Sequence, residues 1–255
     1  MSHLRSGRLV LVPNTLDLGA EAVPIEAALP AMAIARAAAL THWVAEDARS
    51  TRVFLKRVGA VVPLVRPLQE VTITELPRPR KGSGQAVAAS EWDRLLAPAL
   101  AGVELGLLSE AGLPAVADPG AELVASAHRA GVAVEVLAGP SALVLAVAAS
   151  GLGGQNFAFV GYLPQDAVTR ATRIRQLEAQ SRQQSQAQLF IETPYRNAAL
   201  WDALLAGLNP STRLAVACGL TLPGGFNLSD TVAGWRGRPA IDWPDKLPAV
   251  FVLKA

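Results

Sequence analysis

Short apolar runs alternate with stretches of helical spacing along most of the chain. Arg8–Val12 is a β-rich run ended by Pro13. Pro24–Leu40 has helical spacing, with Pro24 suited to a first turn and Pro30 to a break. His42–Ala45 predicts a strand, Arg49–Val58 a helix closed by Gly59, and Ala60–Val65 another strand. Arg66–Gly84, rich in proline and glycine, predicts a loop. Glu91–Ala101 returns to helical spacing. Val103–Leu108 and Val132–Leu137 are strand-like, and Pro119–Ala130 and Ser141–Ser150 are helical. Gly151–Gln155 predicts a joint. Beyond it, Phe157–Val160, Gln188–Glu192, Leu214–Ala217, Phe226–Val232 and Ala249–Leu253 predict strands, with helices over Thr169–Ser185 and Asn197–Leu205. The alternation predicts an α/β fold of two domains, 1–152 and 153–255, with mainly parallel sheets.

Composition narrows the function classes. Of 255 residues 51% are apolar and 17% charged, which excludes a disordered chain and suffices for a core. Lys and Arg number 23 against 21 Asp and Glu, a net charge of +2. A whole-protein basic field is therefore excluded, and any affinity for polyanions is expected from local patches. Arg49, Arg52 and Lys56 share one helical face, and Arg78, Arg80 and Lys81 or Arg170, Arg173 and Arg175 are further patches; solvated faces are the plain alternative. The single cysteine, Cys218, excludes an internal disulfide framework and reads as an apolar filler, and His3, His42 and His128 are scattered, so no metal site is expected. The N-terminus has no signal-peptide core, and the longest apolar run, Ala142–Ala149, is too short to span a bilayer. The expectation is a cytoplasmic protein with no membrane segment.

Candidate chemistry gathers where strands run into loops. Ser109–Gly120 follows a strand, is punctuated by Gly112, Pro114, Pro119 and Gly120, and precedes a helix. Ligands of open α/β sheets bind beside such loops, and Gly112 permits close backbone approach. Asp118 is placed to cap the following helix. Leu137–Ala142 repeats the strand–turn–helix pattern, with N–H groups at a helix start suited to a carboxylate.

Val12-Pro13, Ala45-Glu-Asp-Ala-Arg-Ser-Thr51, Ser109-Glu-Ala-Gly-Leu-Pro114, Asp118-Pro-Gly120, Gly139-Pro-Ser-Ala142, Gly161-Tyr-Leu-Pro164 and Glu192-Thr-Pro-Tyr-Arg196 occur in one order. That order resembles the tetrapyrrole methylase superfamily of S-adenosylmethionine-dependent methyltransferases, and within it the branch of ribosomal RNA small-subunit methyltransferase I, which methylates a ribose 2′-oxygen. The resemblance implies two α/β domains with the cofactor in a cleft between them, a homodimer, and RNA as partner. It assigns to the cofactor Pro13, Ala111, Gly112, Leu113 and Val116, then Ser141 and Ala142, then Glu192, Cys218, Gly219, Pro248 and Ala249. It assigns Glu46, Asp47, Arg49, Arg52 and Arg196 to the substrate.

Methyl transfer to a hydroxyl needs alignment and a proton acceptor. Glu46, Asp47, Glu110 and Glu192 are the candidates. Their plain alternatives are a solvated helix entry for Glu46, an N-cap for Asp47, and an ion pair with Arg196 for Glu192. The chain departs from the branch's pattern at Glu110 and Leu113, where Asp and Thr are usual. It departs again in the loop Asn14–Gly19, which lacks a Gly-Asn pair, and at Cys218–Leu222, where charged residues are usual. Two other readings stay open: a methylase of a tetrapyrrole or other small molecule, and a non-catalytic nucleotide-binding relative.

Overall fold

The computed structural model describes residues 7–19, 23–78 and 87–255. Two compact units divide between Ser141 and Ala142. In the first, strands β1 (Arg8–Leu11), β2 (His42–Ala45), β3 (Thr72–Glu75), β4 (Leu105–Leu108) and β5 (Ala133–Val136) form a sheet of order β3-β2-β4-β1-β5. Every neighbouring pair is parallel. Leu9, Leu11, Val44, Leu105 and Leu107 point to one face, under α3 (Ala89–Leu95), α4 (Ala97–Leu100) and α5 (Ala121–Arg129). Val10, Val12, Trp43, Ala45 and Leu108 point to the other, under α1 (Ala31–Ala38) and α2 (Ala48–Val61). Cover on both faces explains the continuous apolar runs Leu9–Leu11, Trp43–Ala45 and Leu105–Leu108. Gly106 lies under Trp43, where a Cβ would come within 2.6 Å of the indole, so the bare backbone there admits the ring.

Two expected elements differ. Residues 60–65 form no strand: α2 runs on through Gly59 to Val61, and Leu64 packs back beside Gly59. The strand lies instead inside the expected loop, at Thr72–Glu75, where it pairs only with β2 as the sheet's edge. Thr72, Thr74 and Glu75 suit such an edge, while Ile73 packs partly against the core.

The second unit contains α6 (Ala142–Ser150), β6 (Phe157–Tyr162), α7 (Ala167–Gln184), β7 (Ala187–Glu192), α8 (Asn197–Gly207), β8 (Arg213–Cys218), β9 (Phe226–Thr231), α9 (Val232–Arg236) and β10 (Ala249–Lys254). Its sheet order is β6-β7-β10-β8-β9. Only β6 and β7 pair in parallel, so this sheet corrects the expectation of mainly parallel pairing. The cause is connectivity: the short loop Gly219–Gly225 makes β8 and β9 a hairpin, and β10 fills the slot between β7 and β8 in the opposite direction. Leu143, Ala146 and Val147 of α6 pack on one face of this sheet, while α7, α8 and α9 cover the Phe190–Phe251 face. The packing of α6 is why the unit begins at Ala142, ahead of the expected joint at Gly151–Gln155. Among the described residues no helix is long and apolar enough to cross a membrane.

Candidate active site

β1 and β4 are neighbours whose following helices leave to opposite faces of the first sheet. This is the switch point at which open α/β sheets form a crevice beyond the carboxyl ends of their strands. Three loops meet there. The Asn14 amide donates to the Gly112 carbonyl at 2.8 Å, and Gly112 donates back to the Thr15 carbonyl at 3.4 Å. Gly112 has φ +68°, and a Cβ on it would lie 3.3 Å from Leu16 Cδ2 and 3.4 Å from the Pro140 carbonyl oxygen. A Cβ on Gly139 would lie 2.1 Å from Pro13 Cβ, so the loops after β1 and β5 touch through a missing side chain. Pro13, Gly112 and the Gly139–Ser141 turn are thereby brought together, with Ala111, Leu113 and Val116 on the same loop as Gly112. That loop is held in a costly shape: Ala115 (φ +64°) and Ala117 (φ +65°) are both left-handed. Ala142 follows as the first residue of α6, in the second unit.

Beside this junction the ends of β2, β3 and β4 and the start of α5 line a cavity of about 640 Å³, with Glu46, Arg78, Trp92, Glu110 and Glu122 on its wall. The Glu110 amide donates to Glu46 Oε2 at 3.4 Å, and Arg78 Nη2 donates to the Glu46 carbonyl at 2.9 Å. Burial, then the charges of Glu46 and Asp47, raise the Glu110 pKa. Asp118 is affected more: burial, then the charges of Glu46 and Glu110, push it up to about 7. Asp118 does not cap α5, since Gly120 occupies that position. The left-handed residues between Gly112 and Gly120 instead fold it back toward the other carboxylates. Asp47 is a cap: its Oδ1 accepts from the Ser50 amide at 2.7 Å, a bond that lowers its pKa and occupies it structurally.

In the second unit, strand register aligns Glu192, Ala249 and Cys218 in one row across β7, β10 and β8. Gly219 follows and donates to the Pro248 carbonyl at 3.0 Å. Glu192, Cys218, Gly219, Pro248 and Ala249, five of the six residues assigned to the cofactor from this unit, therefore share one sheet end. Glu192 is buried, and its Oε1 accepts from Arg196 Nη2 at 2.7 Å and from the Thr193 amide at 2.7 Å. The ion pair with Arg196 is present, which makes Glu192 an anchor for the Thr193–Arg196 turn. Burial pushes the Cys218 thiol up to about 11, consistent with an inert filler.

The sequence pattern that defines the Tetrapyrrole (Corrin/Porphyrin) Methylases matches residues 29–228. The chain belongs to this family. Ribosomal RNA small subunit methyltransferase I of Xylella fastidiosa is 34% identical over 180 residues, covering 69% of this chain and 57% of the relative. The protein of the same name from Mycobacterium tuberculosis H37Rv is 32% identical over 216 residues, covering 82% of this chain and 65% of the relative. The chain thus spans between about half and two thirds of the length of these curated relatives. Among solved structures, the methyltransferase CobJ superposes with a TM-score of 0.56 at 16% identity, covering 98% of this chain and 94% of that one. Uroporphyrin-III C-methyl transferase from Thermus thermophilus, complexed with S-adenyl homocysteine, gives 0.52 at 19% identity, covering 97% of each chain. These likenesses agree with an α/β fold of two units.

Among this tetrapyrrole methylase's basic residues, Arg49, Arg52 and Lys56 are exposed on one face of α2. Arg57 is not part of that face. Its guanidinium pairs with buried Asp17 at 3.1 Å. Arg78 is described, whereas Arg80 and Lys81 of the expected basic patch lie outside the described residues. Asp118 as a titrating group, Trp92 and Glu122 on the cavity wall, and the Asn14–Asp17–Arg57 cluster went unseen in the sequence. The retrievable signal was polarity within an otherwise apolar first loop.

Proposed function

We propose that the chain is an S-adenosylmethionine-dependent methyltransferase acting on RNA, at a ribose hydroxyl or similar acceptor. The observation that carries the reading is the meeting of three strand-end loops through Pro13, Gly112 and Gly139, where side chains are absent or small and backbone can line a ligand. Ser109 Oγ is buried there with no hydrogen-bond partner among the described residues, a polar atom left for a ligand. Pro13, Ala111, Gly112, Leu113, Val116 and Ser141 would hold the cofactor on the first unit. Ala142, Glu192, Cys218, Gly219, Pro248 and Ala249 are the second unit's assigned set. When bound, adenosylmethionine supplies an electrophilic methyl group.

The chain's own residues supply alignment and a proton acceptor. Glu46, Glu110 and Asp118 form a carboxylate group next to the junction, and Asp118 changes charge near neutral pH, the range in which a general base is effective. Asp47 and Glu192 are the weaker candidates, because each is held in a structural bond. The acidic cavity wall favours a hydroxyl acceptor over a polycarboxylate such as a tetrapyrrole, which would meet Glu46, Glu110 and Glu122 as like charges. Phosphates would be met outside the cavity by Arg49, Arg52 and Lys56, and bases by the turn bearing Tyr195, which is 80% exposed with the Arg196 guanidinium 5.4 Å from its ring centre. The names of the curated relatives support RNA as the acceptor. The reading includes a cytoplasmic homodimer, for which the exposed apolar residues of α6, such as Val144, offer a surface to cover.

Calorimetric titration with adenosylmethionine tests the reading. Binding by the native chain and its loss in a folded Gly112→Arg variant are expected. No binding by the folded native chain would leave the non-catalytic alternative.

A further inference from the structure

One buried polar cluster lies behind the proposed cofactor loop and has no part in the mechanism above. Asn14, Thr15 and Asp17, in the loop after β1, are 5%, 1% and 3% exposed. Asn14 Nδ2 donates to two carbonyls of the neighbouring loop, Ser109 and Glu110, both at 3.0 Å. Its Oδ1 accepts from the Thr15 amide at 2.8 Å, which fixes the amide's orientation. The Thr15 hydroxyl donates to Asp17 Oδ1 at 2.5 Å, and the Gly19 amide donates to the same oxygen at 3.1 Å. Arg57 Nη1 reaches Asp17 Oδ1 and Thr15 Oγ1, each at 3.1 Å, while Nη2 donates to the Val23 carbonyl at 2.9 Å. A continuous hydrogen-bonded chain therefore runs from the middle of α2, through the loop after β1, to the two carbonyls immediately before Ala111 and Gly112.

We propose that Asn14 is a positioning residue: anchored through Thr15 and Asp17 to Arg57, it sets the path of Glu110–Leu113 and thereby the fit of the cofactor. This rests on the reading that Gly112 lines that cofactor. The geometry selects the residue type. Only an amide side chain offers two N–H donors for two carbonyls and an oxygen for the Thr15 amide. The buried ion pair supplies rigidity at the far end. Burial pushes the Asp17 carboxyl up, but hydrogen bonds from Thr15 and Arg57 and the charge of Arg57 outweigh it, so Asp17 is held ionised with a lowered pKa. A loop set this way holds Gly112 in its left-handed conformation against Leu16 and Pro140.

The test is Asn14→Asp, close in shape, which turns the donor group into an oxygen facing two carbonyl oxygens. Two readouts are taken on folded protein: amide exchange of Glu110–Leu113 without ligand, and the Kd for adenosylmethionine from pH 5 to 8. At pH 8 the variant is expected to exchange faster at Ala111 and Gly112 and to bind about tenfold more weakly. As pH falls and the new carboxyl regains a proton to donate, both should move back toward native values, with no such trend in Asn14→Ala. Asp17→Asn, which keeps its shape but loses the charge pair, should give a smaller change of the same kind. Unchanged exchange at Glu110–Leu113 in both the Asn14→Asp and Asp17→Asn variants would overturn the proposal, whatever the binding result. Faster exchange with a native-like Kd would also overturn it. Faster exchange in a protein whose native form binds no adenosylmethionine would uphold the brace and sink the cofactor reading instead.

Discussion

Replacing Asp118 by Asn should make the protein more stable at pH 8 and leave it unchanged at pH 4. Asp118 titrates at about 7 in the folded chain against 3.8 for the ordinary carboxyl, because burial, Glu46 and Glu110 all oppose its charge. Between those values the native state holds a proton that the unfolded state has released. Stability therefore falls as pH rises from about 4 to about 7, and stays low above. At about 1.36 kcal/mol per pH unit the full rise is worth about 4 kcal/mol; a partly solvated site is screened, which leaves about 1–2 kcal/mol at pH 8. Asn removes the charge and keeps the shape. Equilibrium urea unfolding at pH 4 and pH 8 measures the difference, with the midpoint rising only at the higher pH and the slope unchanged. A variant equal to the native chain at pH 8, or equally destabilised at both pH values, would refute the electrostatic account of this loop.

Other outcomes follow from the same geometry. Arg57→Leu strands the Asp17 carboxylate in the interior and should cost about 3–5 kcal/mol by urea unfolding, with the double variant Arg57→Leu, Asp17→Leu recovering much of it. Gly106→Ala drives a methyl into the Trp43 ring and should cost about 1–3 kcal/mol, with a changed Trp43 environment in fluorescence. Removing Arg49, Arg52 and Lys56 together should lower the salt slope of RNA binding by about 2 if all three meet phosphates of a single strand, without changing the Kd for adenosylmethionine. Cys218 should stay unreactive toward a thiol reagent at pH 8 until the chain unfolds, as its raised pKa and burial require.

Strands buried on both faces declared themselves, because Leu9–Leu11, Trp43–Ala45 and Leu105–Leu108 are buried on both sides and so appear as unbroken apolar runs. β3 was hidden for the opposite reason: an edge strand of Thr-Ile-Thr-Glu buries only part of Ile73 and resembles a loop. Residues 60–65 misled because a helix end and its return loop also carry valine and leucine, of which Val62 and Leu64 pack partly against the core while Val61 and Val65 are exposed. In the site, small residues at strand ends were legible, since backbone contact leaves a mark in glycine and proline. Asp118 was not, because its role depends on Ala115 and Ala117 adopting left-handed backbone that alanine rarely takes. Arg57 was hidden as well: it stands next to exposed Lys56 in sequence, yet points to another side of α2, toward Asp17. The turn direction of one helix residue separates a surface charge from a buried brace.

The most direct test of the account is methyl transfer itself. The purified protein is incubated with adenosylmethionine tritiated at the methyl group and, separately, with small-subunit ribosomal RNA from a strain lacking this gene and with uroporphyrinogen. The account predicts label in the RNA, located by nucleotide mass mapping at a ribose, and none in the uroporphyrinogen. Label in the uroporphyrinogen alone, or in neither acceptor from a folded protein, would contradict it.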